Sequence, residues 1–133
     1  MEPKIWGPHA WVFLHSITLT YPINPTNKQK SDYRTFFLTL QHVLPCYKCR
    51  VNYVNHLKKF PITESVLKTR QTLVNWLIDV HNEINIEKGK KKVSHIEALT
   101  MVNSSYKQRD FMWYIIILIF LILILIYLFR KFS

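Results

Sequence analysis

The sequence predicts an all-α protein, on three observations. Glycine is nearly absent, with Gly7 and Gly89 the only two in 133 residues. No Asn-Gly or Asp-Gly pair marks a hairpin turn. Apolar residues recur three and four positions apart, the period of a helix face, rather than alternating as along a strand.

Five helices can be placed in order ahead of a purely apolar segment. The first runs from about Pro8, suited to an initial turn, to Tyr21, where Pro22 ends it. The second opens on the capping box Thr26-Asn-Lys-Gln29 and runs to about Leu44. A third begins near Cys46 and stops before Pro61. The fourth spans about Ser65 to Lys88, with Gly89 as its stop. The fifth opens on Ser94-His-Ile-Glu97, a second capping box, and reaches about Tyr106.

Beyond it, the 19 residues Phe111 to Phe129 carry no charge. As a helix they would extend roughly 28 Å, close to the hydrocarbon thickness of a bilayer. Trp113, Tyr114 and Tyr127 sit near the two ends, where an aromatic belt would place them. A domain this small could not bury such a rod on every side, so the segment reads as a membrane span. The expected organisation is a folded domain over residues 1–107 and a C-terminal anchor over 108–133. No signal peptide opens the chain, and four residues follow the apolar run, as in a tail anchor. Lys88, Lys90, Lys91, Lys92, Lys107 and Arg109 precede the span, against Arg130 and Lys131 after it. That excess favours a domain facing the cytosol. The sequon Asn103-Ser104-Ser105 would be inert there and reads as chance.

The net charge is +10, and residues 1–110 carry 16 Lys and Arg against 8 Asp and Glu. The basic residues are scattered, as on a solvated surface, with attraction to anionic lipid as a secondary role. No nucleic-acid-binding module accompanies them, so a nucleic-acid partner is not expected.

Cys46 and Cys49 are the only cysteines. If oxidised, they pair with each other or with a partner's thiol. Closing so short a loop removes little chain entropy. A C-x-x-C pair at a helix start also favours a thiolate and an exchangeable disulfide. The pair therefore reads as redox machinery rather than a staple.

Two further patches admit two readings each. On the fourth helix, Leu73, Trp76, Leu77, Val80 and Ile84 form an apolar stripe. His81, Asn82 and Asn85 form a polar row beside it, either a solvent face or donors aimed at a bound heterocycle or phosphate. On the first helix, Trp11 and His15 lie one turn apart, either packed in a core or holding a flat ring by stacking.

These patches resemble, in order and approximate spacing, the signatures of the Erv/Alr-type FAD-linked sulfhydryl oxidases. The matching segments are Trp6-Gly-Pro-His-Ala-Trp11-Val-Phe-Leu-His15, then Leu44-Pro-Cys46-Tyr-Lys-Cys49-Arg50, then His81-Asn82-Glu-Ile-Asn85. The resemblance covers roughly residues 5–106. It implies a four-helix bundle with a short fifth helix, FAD as cofactor, and a homodimer. It places Gly7, Trp11 and His15 at the flavin from the first helix and His81, Asn82 and Asn85 from the fourth. Lys90 would be a phosphate partner, and Tyr106 would help close the site. Cys46 would be the exchange cysteine that forms a mixed disulfide with a substrate thiol. Cys49 would resolve it and face the isoalloxazine, with electrons leaving to dioxygen as hydrogen peroxide.

The chain departs from many cellular members in lacking a second, shuttle C-x-x-C pair and further structural cysteines. Electrons would then enter Cys46 directly from a partner, a small thioredoxin-like or C-x-x-C protein. A membrane-attached domain in reducing cytosol resembles the minimal members of large DNA viruses. The rival reading is structural: His42, Cys46, Cys49 and His56 as zinc ligands in a tail-anchored adaptor. It leaves the Trp-Gly-Pro and His-Asn segments without a role. A flavin-free thioredoxin-like enzyme is disfavoured because no βαβ pattern surrounds the cysteines.

Overall fold

A computed structural model describes the backbone of residues 1–132, and the side chains apart from those of residues 105–110 and 132. It is all-helical among the described residues: α1 (Pro3–Leu19), α2 (Asn27–Val43), α3 (Tyr47–Lys59), a 3-10 turn (Val66–Lys68), α4 (Arg70–Glu87) and α5 (His95–Phe132). The chain divides into two compact units, Met1–His95 and Ile96–Ser133.

In the first unit α1 packs on α4 and α2 on α3. Phe37, Leu67, Leu73, Leu77 and Val80 are buried between them. The Phe37 and Trp76 rings meet edge to face, 5.0 Å apart. Three aromatic polar groups packed in this core are satisfied by backbone carbonyls, as burial in a low-dielectric interior favours. The Tyr53 hydroxyl donates to the Phe37 carbonyl at 3.0 Å, the Tyr21 hydroxyl to that of Leu67 at 2.9 Å, and Trp76 Nε1 to that of Phe60 at 2.9 Å. Burial raises the pKa of Tyr53, so its hydroxyl stays a donor.

The helix boundaries follow their caps. The Thr26–Gln29 box is formed as the sequence predicts: Gln29 N–H donates to Thr26 Oγ1 at 3.2 Å and Thr26 N–H to Gln29 Oε1 at 2.9 Å. α1 begins at Pro3, five residues before the expected start, because Pro3 also meets the first-turn preference and Pro8 is carried inside the helix. α4 begins at Arg70 rather than Ser65. Extended Thr69 (φ −145°, ψ 167°) breaks the chain and caps the helix reciprocally with Thr72. Thr72 stands where Glu or Gln usually marks a capping box, which hides the signal.

The end of α4 is a Schellman motif on Gly89, whose φ is +69°. Gly89 N–H donates to the Ile86 carbonyl at 2.9 Å and Lys90 N–H to the Asn85 carbonyl at 2.8 Å.

The sequence separates a fifth helix ending near Tyr106 from the apolar run. The structure has one continuous helix of 38 residues instead. No Pro or Gly lies between Val93 and Ser133 to interrupt it. Within it, Phe111–Lys131 reaches a mean hydropathy of 3.0 across its most apolar stretch, and none of these residues is buried. That stretch is long and apolar enough to cross a membrane.

A Cβ at Gly89 would meet no atom within 4 Å, so the positive φ alone sets the cost of a side chain there. Gly89→Ala should lower stability by about 1 kcal/mol. Denaturant titration of the full chain in detergent micelles checks this, and an unchanged midpoint would show that the motif contributes nothing.

Candidate functional site

A cavity of about 360 Å³ opens beside the cysteine pair, within the size range of ligand sites. α1 lines it with Trp6, Gly7, Trp11 and Leu14, and α2 with Leu40 and Leu44. α3 and its N-cap contribute Cys46, Cys49, Asn52, Tyr53 and His56, and α4 and its C-cap contribute Ile84, Glu87 and Lys88. The walls are mainly apolar, with charged side chains from Lys48, Glu87 and Lys88.

Cys46 and Cys49 form a disulfide. Cys46 is the N-cap of α3, and its Sγ accepts the Cys49 backbone N–H at 3.1 Å. The helix start thus presents a free-end N–H to sulfur, where the helix dipole also favours negative charge. Arg50 braces the preceding turn by donating from Nη1 to the Leu44 carbonyl at 2.7 Å. Its guanidinium carbon lies 5.8 Å from the centroid of the Tyr47 ring.

The aromatic patch of α1 and the polar row of α4 meet. Trp11 stacks on His81, ring centroids 3.8 Å apart and planes 4° from parallel. His81 Nδ1 lies 3.2 Å from His15 Nε2, so one ring donates and the other accepts. Burial lowers both pKa values to about 4; for His81 the neighbouring His15, Lys88 and Lys90 add to the effect. Near neutral pH the cluster is therefore uncharged, an aromatic backing for Trp11 rather than an ionic one.

Asn82 is turned inward, 2% exposed. Its Nδ2 donates to the Val93 carbonyl at 2.9 Å and its Oδ1 accepts the Val93 N–H at 3.0 Å. This clamp returns the chain to α4 after Gly89. Asn85 supplies a carbonyl to the Schellman motif. Lys90 is exposed in the clamped segment. Tyr106 lies outside the residues whose side chains are described.

The structure thus brings Gly7, Trp11, Cys46 and Cys49 to one cavity, with His15 and His81 joined to it through Trp11. Asn82, Asn85 and Lys90 are not among its lining residues. The zinc set is not assembled: no group of three or more His, Cys, Asp or Glu that could hold a metal ion occurs among the described residues. His42 is exposed, whereas His56 is buried.

Trp6, Asn52, Tyr53 and Glu87 have no role in the sequence reading, and His56 enters it only as a zinc ligand. The α3 members were legible in principle. Cys49, Asn52, Tyr53 and His56 are spaced i, i+3, i+4 and i+7, a single helix face. Two buried nitrogens in the cavity wall, Trp6 Nε1 and His56 Nε2, have no hydrogen-bond partner among the described residues.

The His15–His81 pair sets a pH dependence. Both rings stay neutral in the fold down to about pH 4, whereas an unfolded chain protonates them below about 6.5. Their contribution to stability is complete above about 6.5 and is lost as pH falls toward about 4. Unfolding midpoints measured across that window should drop with acid, and His15→Gln should flatten the slope. Equal slopes for the two proteins would remove the pair as its source.

Comparison with known proteins agrees with this geometry. The Erv1 / Alr family profile matches residues 8–109. The chain is 45% identical over 119 residues to the "Probable FAD-linked sulfhydryl oxidase R368" of Acanthamoeba polyphaga mimivirus, covering 87% of this chain and 83% of that protein. It is 29% identical over 100 residues to the FAD-linked sulfhydryl oxidase of African swine fever virus, covering 75% of this chain and 82% of that protein. The fold matches the yeast Erv1 core with a TM-score of 0.66 at 25% identity, over 71% of this chain and 78% of that one. The FAD binding domain of Saccharomyces cerevisiae Erv1 superposes with the same TM-score at 26% identity, over 71% of this chain and 88% of that one. A profile match over 102 of the 133 residues, with the cysteine pair and Trp11 in the wall of one cavity and His81 stacked on Trp11, makes this chain a member of the Erv1 / Alr family.

Proposed function

We propose that this chain is an FAD-linked sulfhydryl oxidase that forms disulfides in partner proteins. The observation that carries the reading is the Cys46–Cys49 disulfide set in the wall of an apolar cavity backed by the Trp11–His81 stack. The two viral relatives carry this activity in their names.

The residues present fit a flavin. Leu14, Leu40, Leu44 and Ile84 offer apolar contact and Trp11 an aromatic face. A Cβ at Gly7 would meet nothing within 4 Å, so its missing side chain leaves ligand room rather than serving packing. The unpartnered Trp6 Nε1 is a donor available to a ring carbonyl. In this reading Gly7 and Trp11 line the ring site, and His15 and His81 hold Trp11 in place. Asn82 orders the segment that carries Lys90, the phosphate partner, with Asn85 shaping its start.

Cys46 is the exchange cysteine. A substrate thiolate attacks its Sγ, the Cys46–Cys49 bond breaks, and Cys49 leaves as a thiolate while a mixed disulfide forms. The substrate's second thiolate then attacks its own sulfur in that mixed disulfide, displacing Cys46 and closing the product disulfide. The α3 N-terminus and the Cys49 N–H stabilise negative charge on Cys46. When bound, FAD supplies the oxidant that takes the electron pair from the reduced cysteines and delivers it to dioxygen, giving hydrogen peroxide.

The substrate is a thiol-bearing protein, in our reading a small thioredoxin-like or C-x-x-C partner that delivers electrons directly. Residues 1–107 form the catalytic domain, which works as a homodimer. Residues 108–133 anchor it to a membrane, with the domain on the cytosolic side. The similarity to viral oxidases favours a viral origin.

The purified chain should show flavin absorbance and no stoichiometric zinc; the reverse result sinks the oxidase in favour of the adaptor. Cys49→Ser should keep the flavin and reduce peroxide formation from a dithiol to background, and undiminished turnover would exclude Cys49. Gly7→Leu should raise thermal stability of the flavin-free chain slightly, by up to about 1 kcal/mol through helix propensity. It should also weaken FAD uptake, and normal uptake would remove Gly7 from the site.

A further inference from the structure

His56 is a buried imidazole that the thiol chemistry leaves unused. It lies on the same face of α3 as Cys49, seven residues on, about 10 Å along the helix axis. It forms part of the cavity wall, is 3% exposed, and its Nε2 has no hydrogen-bond partner. Glu87 Oε2 stands 3.5 Å from that nitrogen, too far for a good hydrogen bond, with its side chain 46% exposed.

An orphaned buried nitrogen is destabilising, and an apolar residue of similar size would avoid that penalty. Tyr53, one turn earlier on the same face, already gives its hydroxyl to Phe37. His56 is therefore a polar group of this wall with unused hydrogen-bonding capacity.

We propose that His56, oriented by Glu87, is a recognition group for the polar edge of the ring system bound in the cavity. The inference rests on the flavin reading above. The Glu87 carboxylate favours the proton on Nε2, and that same unpartnered nitrogen is the donor available to a ring carbonyl. A flavin's pyrimidine edge presents an N–H between two carbonyls, so it offers both a donor and acceptors to an imidazole. Glu87, at the end of α4, acts as a positioning residue through His56.

The test strips FAD from the full chain in detergent micelles and measures rebinding by flavin absorbance and fluorescence, with circular dichroism to follow helix content. His56→Leu should weaken FAD binding about tenfold, the factor expected for one hydrogen bond of ordinary strength, with helix content unchanged. His56→Gln, which keeps a donor and an acceptor, should recover most of that loss, and the flavin absorption maxima should shift in His56→Leu alone. Equal affinity in wild type and His56→Leu overturns the proposal. So does equal weakening in His56→Leu and His56→Gln, which would mean that only packing was disturbed. If His56→Leu does not fold, Glu87→Gln decides: a loss of about threefold supports the proposal and none overturns it. A wild-type chain that takes up no FAD at all defeats the oxidase reading itself and this inference with it, a result distinct from the others.

Discussion

The start of α3 is the constraint on which the site depends. Cys46 occupies the N-cap, and its sulfur takes the N–H of Cys49, so the helix begins at Tyr47. That phase fixes which side of α3 faces the cavity. One residue of slippage would rotate the face by about 100° and carry Cys49, Tyr53 and His56 away together. The Tyr53–Phe37 bond and the Arg50–Leu44 bond lock the same phase from α2 and from the preceding turn.

The second half of the site is built from uncharged polar groups. His15 and His81 satisfy each other in a buried place where a lone imidazole would face a desolvation penalty. The stack on Trp11 then gives a stiff aromatic wall without introducing charge into an apolar space. Asn82 follows the same economy. Its amide makes two hydrogen bonds to one backbone residue, which orders the chain after Gly89 without a covalent link.

Most of the fold was legible from periodicity and punctuation. The Thr26 box, the Gly89 stop and the apolar stripe of α4 all stand where the residues place them. The errors have local causes. Two prolines compete for the first turn of α1, a threonine substitutes for the usual capping partner at Thr72, and nothing between Val93 and the apolar run halts the last helix. At the site, Cys46, Cys49, Gly7 and Trp11 were readable because they sit within short patterned segments. The inward turn of Asn82 was not, because its partner is a backbone residue eleven positions away whose approach depends on the Gly89 turn. The close stack of Trp11 on His81, beyond its tilted contact with neighbouring His15, likewise required two helices to be placed first.

With two cysteines in these 133 residues, only one intramolecular disulfide can form. A chain that collapses in an oxidising mixture has no scrambled isomer to fall into, and none to escape from. A catalyst that hands out such links would thus be immune to miswiring itself. Tertiary packing, through Trp76, Tyr21 and the clamps on α4, bears the whole task of holding its shape while that one bond opens and closes.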